Sequence, residues 1–413
     1  MATPLGTVFR ISIESVVQLL MQYLAGGLAA YFGLISPSDV RSLGSVTNLL
    51  LIPCLFIASL GRGLSADVFF DGGWVLVVIG WASGLIYAAI GWVLRFAAKP
   101  DPEFERLFVV MLAIPNIVAI PMSLSESLCL NGAFDDEFIS RTACVERARC
   151  FVQLYVALDA INTFVIAQSY LTGSSPATAD HSNAVGAVDH SNAIGAVMGR
   201  SASTDGTTTV QVETRTARAN VPQPLLVCAS LGRQAGMLFR KPPLVGMLLG
   251  LFVGLTEPIQ REVFIDDGAL SFIGQAVSAL GSAAVPIVNL MVAFSLGHKL
   301  RSLSRWQDLL GSPSEGVSSR TLAVLTLGRM VIVPLLDGAA LYSLFGVLPK
   351  SRLLRVILFI EMAPPTASIV VLLIHAGNKP ALAQLFSFAL VPQYLLAPLT
   401  LTAMLIISLR ITE

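Results

Sequence analysis

The sequence predicts an all-α polytopic membrane protein whose ten transmembrane helices form two inverted five-helix repeats. Hydrophobic residues make up 54% of the chain and charged residues only 13%, against roughly 25% in soluble domains. Apolar runs of about 20 residues, the length that crosses a bilayer core, recur along nearly the whole chain. One of these runs is broken by proline and occurs a second time. A formal net charge of zero gives no electrostatic support for a nucleic-acid partner.

The first half of the chain, residues 1–172, is predicted to hold five helices. The first of them has a polar stripe, Glu14, Gln18 and Gln22, which recurs every four residues. We expect this stripe to hydrogen-bond to a neighbouring helix. The approximate helix ranges are 11–34, 42–62, 73–96, 106–130 and 150–171.

Residues 173–232 separate the two halves and are rich in Ser, Thr, Ala and Gly, a composition typical of a solvated linker. An odd number of helices precedes this linker, so the second half is inverted relative to the first. Lys and Arg are more numerous in the connections on the side of the linker, which predicts a cytoplasmic linker. The second half, residues 233–413, is predicted to hold helices at about 240–255, 272–297, 320–345, 355–377 and 380–409.

The two proline-broken runs correspond to each other in detail. RLFVVMLAIPNIVAIPMSLSESL begins at Arg106 and RVILFIEMAPPTASIVVLLIHAG at Arg355, and in both the first proline follows nine residues after the arginine. A proline inside a helix lacks an N–H and clashes with the preceding turn, so it frees backbone groups. Such groups are costly in hydrocarbon unless they line a polar cavity or are buried in protein. Two breaks that cross at mid-depth expose helix N-termini, each with roughly half a positive charge, and therefore predict an anion site.

Four motifs, in this order, resemble the auxin efflux carrier family, meaning the plant PIN and PIN-like carriers and their bacterial and fungal relatives. The motifs are PNIVAIPMSL from Pro115, KPPLVGMLLGLFVGL from Lys241, LGSAAVPIVNLMVAFSLG from Leu280 and EMAPPTASIVVLLIHAG from Glu361. The resemblance covers nearly all of the chain except the linker. It implies ten helices, a substrate site at a helix crossing, and movement of small organic anions by alternating access.

The resemblance also assigns residues of the substrate site by position. These residues are Pro115, Asn116 and Pro121 on the first broken run, and Pro364 and Pro365 on the second. Family members often have a Gly-Asn pair ahead of the first crossing proline motif, where this chain has Ala113-Ile114-Pro115-Asn116 with one Asn remaining, and this departure leaves the substrate open. Asn116 faces a position held by Pro365, so we expect the hydrogen-bonding side chain to come from the first run alone.

Four ionisable residues fall at membrane depth in the predicted helices, namely Asp159, Arg329, Asp337 and Glu361. Each is costly there, by about 2.5–3.5 kcal/mol on insertion scales, and so invites a functional hypothesis. Two roles stay open for Asp159 and Glu361: coupling of transport to protons, or ion pairing with Arg329. Both are physically sound because burial favours a protonated carboxyl group and a nearby arginine favours the charged form.

The cysteines give one further expectation. Cys129 and Cys144 flank an acidic loop, where a disulfide would form if the loop faces an oxidising compartment. Unpaired thiols are the default expectation for this pair. Cys54 and Cys150 are expected to be small buried apolar residues.

Together these features predict an integral, multi-pass transporter of a small carboxylate, with proton coupling left open, in the plasma membrane or the endoplasmic reticulum. Expected surroundings are the lipid bilayer, without nucleic acid, cofactor or metal, and a homodimer is left open. The sequence has no GxSxG or HExxH motif and no catalytic aspartate pair, so an enzyme is not expected. Two alternatives remain, a cation/proton antiporter of related architecture and a membrane receptor or sensor that binds without transport.

Overall fold

The computed structural model describes residues 5–167, 170–171, 241–264, 268–302, 317–377 and 379–412, and these residues form helices without a strand. The predicted linker, residues 173–232, lies outside the described residues. The described residues on either side of it belong to one compact unit. Packing between the two halves can therefore be read directly.

The helices are numbered here in chain order. In the first half they are α1 (Leu5–Tyr31), α2 (Pro37–Gly63), α3 (Ala66–Ala98), α4 (Pro102–Ala113), α5 (Ala119–Leu130) and α6 (Arg141–Ile161). In the second half they are α7 (Pro242–Leu255), α8 (Glu257–Phe264), α9 (Ser271–Ser302), α10 (Ser319–Leu344), α11 (Arg352–Met362), α12 (Ile369–Ala376) and α13 (Pro380–Thr412).

Several of these helices are long and apolar enough to cross a membrane. Within the described residues there are five, α2, α3, α9, α10 and α13, or six if the bent pair α7 and α8 is one span. The bend between α7 and α8 is 105°, so the predicted sixth helix continues past a sharp turn. Pro258 lies in the first turn of α8, where its missing N–H costs little. The protein is therefore an all-helical, multi-pass membrane protein.

Two helix pairs are interrupted where the sequence has the repeated prolines. The first pair is α4 and α5, with residues 114–118 between them, and the second is α11 and α12, with residues 363–368 between them. The four pieces have 12, 12, 11 and 8 residues, so the longest extends about 18 Å against a bilayer core of about 30 Å. Each piece alone is too short to cross the core.

Single prolines inside α2 and α10 do not interrupt those helices. Pro53 and Pro334 each follow a π-helical turn, Thr47–Leu51 in α2 and Gly328–Ile332 in α10. A π turn shifts the hydrogen-bond register by one residue, which accommodates a residue that lacks an N–H. The turn in α10 also contains Arg329, whose side chain is fully buried.

Helix α7 packs on α2 through a glycine face. Gly246, Gly250 and Gly254 recur every four residues along α7. A methyl group on Gly250 would lie 2.6 Å from the backbone oxygen of Phe56, so the two backbones are in close approach. Small residues permit such approach in membranes, where helix association depends on van der Waals packing. Helix α9 makes further extensive contacts across the two halves, with α1 and with α2.

A disulfide holds the loop that follows α5. Cys129 and Cys144 are bonded to each other, so the default expectation of unpaired thiols is wrong, while Cys54 and Cys150 are free and buried as predicted. The closed loop presents Glu137, which accepts hydrogen bonds from Ser351 Oγ (2.6 Å) and the Leu353 N–H (3.0 Å). A carboxylate at the start of a helix is favourable because unpaired N–H groups lie there. The loop of the first half therefore caps α11 of the second.

We predict that Gly250→Ala lowers the thermal unfolding temperature of the detergent-purified protein, by the equivalent of about 1–3 kcal/mol, because backbone cannot move aside for the methyl group. Gly338→Ala is the matched control, since Gly338 also lies inside a helix but its nearest neighbour would be the flexible Met404 Cε at 3.4 Å. The control should unfold at or slightly above the wild-type temperature. Equal behaviour of the two variants would contradict the close packing of α7 on α2.

Candidate functional site: the crossing of the two broken helices

The two interrupted helices meet at their breaks as a short antiparallel pair. Pro115 of the first break lies opposite Thr366 of the second. The Asn116 N–H donates to the Pro365 carbonyl oxygen at 2.8 Å, and the Ala367 N–H donates to the Ile114 carbonyl oxygen at 2.9 Å. Backbone groups freed by one break are thus satisfied by the other.

A buried arginine binds the ends of the two helices that lead into the crossing. Arg329 Nε donates to the Pro364 carbonyl oxygen at 2.9 Å, and one terminal nitrogen donates to the Leu112 carbonyl oxygen at 3.4 Å. The Leu112 carbonyl group lies at the C-terminal end of α4, where a helix has a partial negative charge, and the Pro364 carbonyl group lies in the second break, two residues beyond the end of α11. The guanidinium carbon also lies 5.0 Å from the centre of the Tyr87 ring, within cation–π range.

The ends of the helices that lead away from the crossing face a small cavity of about 80 Å³. Its walls come from α2, α6 and α9 as well as from both breaks, and they are mostly apolar. The polar side chains among its lining residues are Asn116, Asp159, Thr163 and Ser368. Ala119 and Ile369, the first residues of α5 and α12, also line it. The crossing therefore presents helix N-termini to the cavity and helix C-termini to Arg329.

Asn116 is 4% exposed and uses both ends of its amide. Its Oδ1 accepts from the Ala119 N–H at 3.2 Å and so caps α5. Its Nδ2 donates to the Tyr394 hydroxyl oxygen at 2.9 Å, and that hydroxyl donates to the Thr366 carbonyl oxygen at 3.3 Å. An amide nitrogen has two N–H groups, so one donor of Asn116 stays available to a ligand.

The second break also supplies hydrogen-bonding side chains, so the expectation that they come from the first run alone is wrong. Thr366 Oγ1 contacts the Met111 carbonyl oxygen at 2.5 Å and Gln393 Oε1 at 2.9 Å. Ser368 Oγ donates to Asn289 Oδ1 at 2.8 Å. The position opposite Asn116 is indeed proline, but hydroxyl groups lie one and three residues beyond Pro365.

The predicted polar stripe of α1 connects to this network at one point. Asn289 Nδ2 donates to Gln22 Oε1 at 3.2 Å, a hydrogen bond between α9 and α1 of the expected kind. Glu14 instead forms an exposed ion pair with Arg10 on its own helix, at 3.4 Å. The side chain of Gln18 lies outside the described residues.

The predicted prolines have different positions around the cavity. Pro115 lines it, whereas Pro121, Pro364 and Pro365 are buried outside its lining. Pro121 occupies the first turn of α5, and Pro364 presents its carbonyl oxygen to Arg329. These three residues shape the breaks without facing the cavity.

In the part of the chain that the structure describes, the buried carboxylates of Asp159, Asp337 and Glu361 do not pair with Arg329. No ion pair within 4.0 Å joins Arg329 to Asp159, Asp337 or Glu361 among the described residues, so direct pairing is wrong as an interpretation of any of the three. Two nitrogens of the guanidinium, Nε and one terminal nitrogen, instead donate to backbone carbonyl oxygens. Glu361 is fully buried, and neither of its carboxylate oxygens has a hydrogen-bond partner among the described residues.

Asp159 is the carboxylate that reaches the cavity. Its oxygens accept from Asn162 Nδ2 at 3.0 Å and from Thr163 Oγ1 at 3.4 Å, both on the π turn that follows α6. Gly84 of α3 lies against it, and a methyl group there would be 2.5 Å from Asp159 Oδ1. Asp159 is 2% exposed, so its charge state matters to anything that enters the cavity.

Two larger cavities lie next to the crossing. One of about 700 Å³ shares Leu55, Ala119 and Val285 with the small cavity and is lined by many polar residues. Another, of about 600 Å³, is mainly apolar and is lined by Tyr23 and Tyr394. These two rings pack edge to face with centres 5.2 Å apart. Tyr394 therefore contacts Asn116 while also forming part of the wall of the apolar cavity.

Sequence reasoning missed Tyr394, Gln393 and Tyr87. Gln393 and Tyr394 are adjacent polar residues in the middle of a largely apolar helix, α13, and that contrast could have indicated them. Tyr87 has no comparable signal, because tyrosine is ordinary in α3, a helix with aromatic residues at its ends and centre.

Comparison with known proteins agrees with this architecture. Residues 11–405 match the family described as membrane transport protein. Protein PIN-LIKES 7 of Arabidopsis thaliana is 23% identical over 412 residues, covering 96% of each chain. An uncharacterized transporter of Schizosaccharomyces pombe is 22% identical over 400 residues, covering 87% of this chain and 86% of the relative. An uncharacterized transporter of Saccharomyces cerevisiae is 21% identical over 379 residues, covering 85% and 84%.

The family match spans nearly the whole chain, and the relatives are aligned along most of their length. Their names describe transporters and PIN-LIKES proteins, in agreement with the motifs at Pro115 and Glu361. The protein thus belongs to the membrane transport protein family, that of the auxin efflux carriers, and is a multi-pass membrane transporter rather than an enzyme.

Proposed function

We propose that the protein is a secondary carrier of small organic anions that works by alternating access at the helix crossing. The observation that carries the proposal is the polarity of the crossing. Two helix N-termini converge on a cavity with Asn116 and Ser368, while Arg329 binds the opposite, C-terminal ends. Helix N-termini attract anions without a full positive charge inside the membrane.

The proposal includes ten spans arranged as two inverted repeats of five. Under it, α1, α2, α3, the pair α4–α5 and α6 correspond to α7, α9, α10, the pair α11–α12 and α13. The most extensive contacts between the halves support this, because α1 packs on α9, α7 packs on α2, and α2 packs on α9. Exchange of the halves makes the first two pairs equivalent and leaves the α2–α9 pair unchanged. The two breaks also pair with each other, an arrangement that a two-fold relation between repeats allows.

The substrate that fits this cavity best is a carboxylate with an apolar body. Apolar side chains such as Ile52, Phe56, Val156 and Phe164 form most of the walls. The polar groups are confined to the two breaks and to one side of α6. A ligand with a charged end and an apolar end would match both, and the polar cavity of about 700 Å³ gives it a route from one side.

Asp159 makes proton coupling part of the proposal. A carboxylate substrate and a charged Asp159 would repel each other in a cavity that is largely closed to water. Binding of the substrate therefore favours the protonated form of Asp159, and by linkage a proton on Asp159 favours binding. Glu361 is not among the lining residues, so we assign the coupling role to Asp159 alone.

Alternating access also needs the crossing to open towards the other side. The Tyr23 and Tyr394 rings stand between the crossing and the apolar cavity of about 600 Å³. Tyr394 is held by Asn116, and Ser368 by Asn289, so both breaks are tied to their surroundings by hydrogen bonds. In our proposal these bonds break when the carrier changes its open side.

We predict that Asn116→Asp lowers carboxylate uptake into proteoliposomes at least about tenfold, with little loss of folded protein. The change keeps the shape and the cap of α5 but adds a negative charge, and two like charges about 4 Å apart repel by about 4 kcal/mol at an effective dielectric constant of about 20. Asn131→Asp is the control, because it adds the same charge at the far end of α5, outside the cavity. Wild-type uptake by Asn116→Asp would contradict the site.

For Asp159→Asn we predict uptake that no longer depends on pH. In the wild type, uptake should fall as pH rises, because the deprotonated carboxylate repels the substrate. Asparagine imitates the neutral form at every pH, so the profile becomes flat and uptake at alkaline pH exceeds that of the wild type. Glu361→Gln, the control, should keep the wild-type slope. A steep profile in Asp159→Asn would exclude Asp159 as the coupling group.

The same proteoliposomes separate this proposal from its alternatives. Sodium-dependent flux without any organic substrate would indicate a cation/proton antiporter. Ligand binding to the purified protein without flux would indicate a receptor or sensor. A screen of radiolabelled mono- and dicarboxylates, with and without a pH gradient, is the direct experiment.

A further inference from the structure

We propose that Arg329 is a built-in cation of the crossing, which takes the place of a bound metal cation and makes transport independent of sodium. The inference rests on the proposed carrier function. It concerns what stabilises the site rather than what the site transports.

Two helix C-termini at the crossing require a positive charge nearby. The C-terminal ends of α4 and α11 point into the protein interior at the crossing, and their last carbonyl groups have no partner within their own helices. Two such ends side by side form a region of negative potential. In interrupted membrane helices, ends of this kind are typical sites for a bound cation such as sodium.

Arg329 already occupies the position next to these two helix ends. Its guanidinium donates to a carbonyl oxygen from each broken helix, Pro364 on one side and Leu112 on the other. The side chain is fully buried, and the Tyr87 ring covers one side of it. A single residue on α10 therefore links both breaks and supplies the charge that a metal ion would bring.

The described neighbours of Arg329 do not form an ion pair with it. No carboxylate lies within 4.0 Å of Arg329 among the described residues, so the positive charge is not cancelled by an ion pair. One terminal nitrogen of the guanidinium, Nη2, has no hydrogen-bond partner among the described residues. The hydrogen bonds of Arg329 thus go to backbone carbonyl groups of both broken helices, which holds the two breaks together, while Asp337 and Asp159 lie within reach of its charge.

The chain offers a matched control in Arg355. It too donates to backbone carbonyl oxygens beyond a helix end, those of Phe345, Leu348 and Pro349 after α10. Its guanidinium also lies against an aromatic ring, that of Phe345. Arg355 touches neither break, so its loss removes the same type of contact without touching the crossing.

The test measures carboxylate uptake by proteoliposomes that contain wild type, Arg329→Met or Arg355→Met, in sodium buffer and in choline buffer. Wild-type uptake should be equal in both buffers. Arg329→Met should lose about ten- to a hundredfold, the range expected for hydrogen bonds to a charged group. Millimolar guanidinium ion should restore much of that loss, whereas urea, which is planar and similar in size but neutral, should not. Arg355→Met should keep near wild-type uptake and show no response to guanidinium.

Each other result counts against the proposal. Sodium-dependent carboxylate uptake by the wild type would overturn it while leaving the carrier function intact, whereas absence of any carboxylate flux would overturn the carrier function itself. Equal rescue by urea, or wild-type uptake by Arg329→Met, would also overturn it. If Arg329→Met does not fold, Arg329→Lys retains the charge, and its uptake should exceed background without sodium. Sodium dependence of Arg329→Lys would contradict the assignment, because the lysine still supplies a cation.

Discussion

Two interrupted helices buried inside the protein must satisfy the backbone groups that the interruptions release, and most of the site follows from how this chain does so. Each unpaired peptide group in hydrocarbon costs several kcal/mol. Here the two breaks form backbone hydrogen bonds with each other through Asn116 and Ala367. Further backbone groups of the breaks form hydrogen bonds with side chains from other helices. Arg329 comes from α10, and Gln393 and Tyr394 come from α13. The crossing is therefore a shared structure of the two interrupted helices, α4–α5 and α11–α12, together with α10 and α13.

This solution separates charge along the membrane-embedded part of the protein. Helix C-termini meet a buried guanidinium, and helix N-termini meet a cavity with an amide and a hydroxyl group. An anion in the cavity is attracted by fixed dipoles, and no charged side chain has to be exposed to it. Asp159 is the exception, because it lines the same cavity with a carboxyl group. A carrier of anions can use such a group only if its protonation accompanies substrate binding, which is the basis of the proposed coupling.

Much of this architecture could be predicted from the sequence because it depends on local chemistry. Helix positions follow from apolar runs, and the breaks follow from Pro115 and Pro364, whose missing N–H groups act on the preceding turn. The π turns before Pro53 and Pro334 were not accessible, because a register shift of one residue leaves no mark in composition. Those turns explain why single prolines left α2 and α10 continuous.

The contacts of the charged residues could not be predicted from the sequence, for a different reason. Ion pairing of Arg329 with Asp159 or Glu361 was one of two roles left open, since charge is visible in sequence, but Arg329 donates to carbonyl oxygens of residues distant in the chain. Backbone carbonyl groups are present at every residue, so no residue type indicates which of them a break exposes. The same holds for Ser368 and Tyr394, whose roles depend on how the second break folds onto the first.

The most direct test of the account is a cryo-electron microscopy structure of the protein with an iodinated aromatic carboxylate, in which the iodine fixes the orientation of the ligand. The account predicts that the carboxylate lies within about 3.2 Å of donors at the starts of α5 and α12, between Asn116 and Ser368. It also predicts that the guanidinium of Arg329 stays bound to the Pro364 carbonyl oxygen. A carboxylate bound directly to Arg329, or confined to one of the larger cavities, would contradict it.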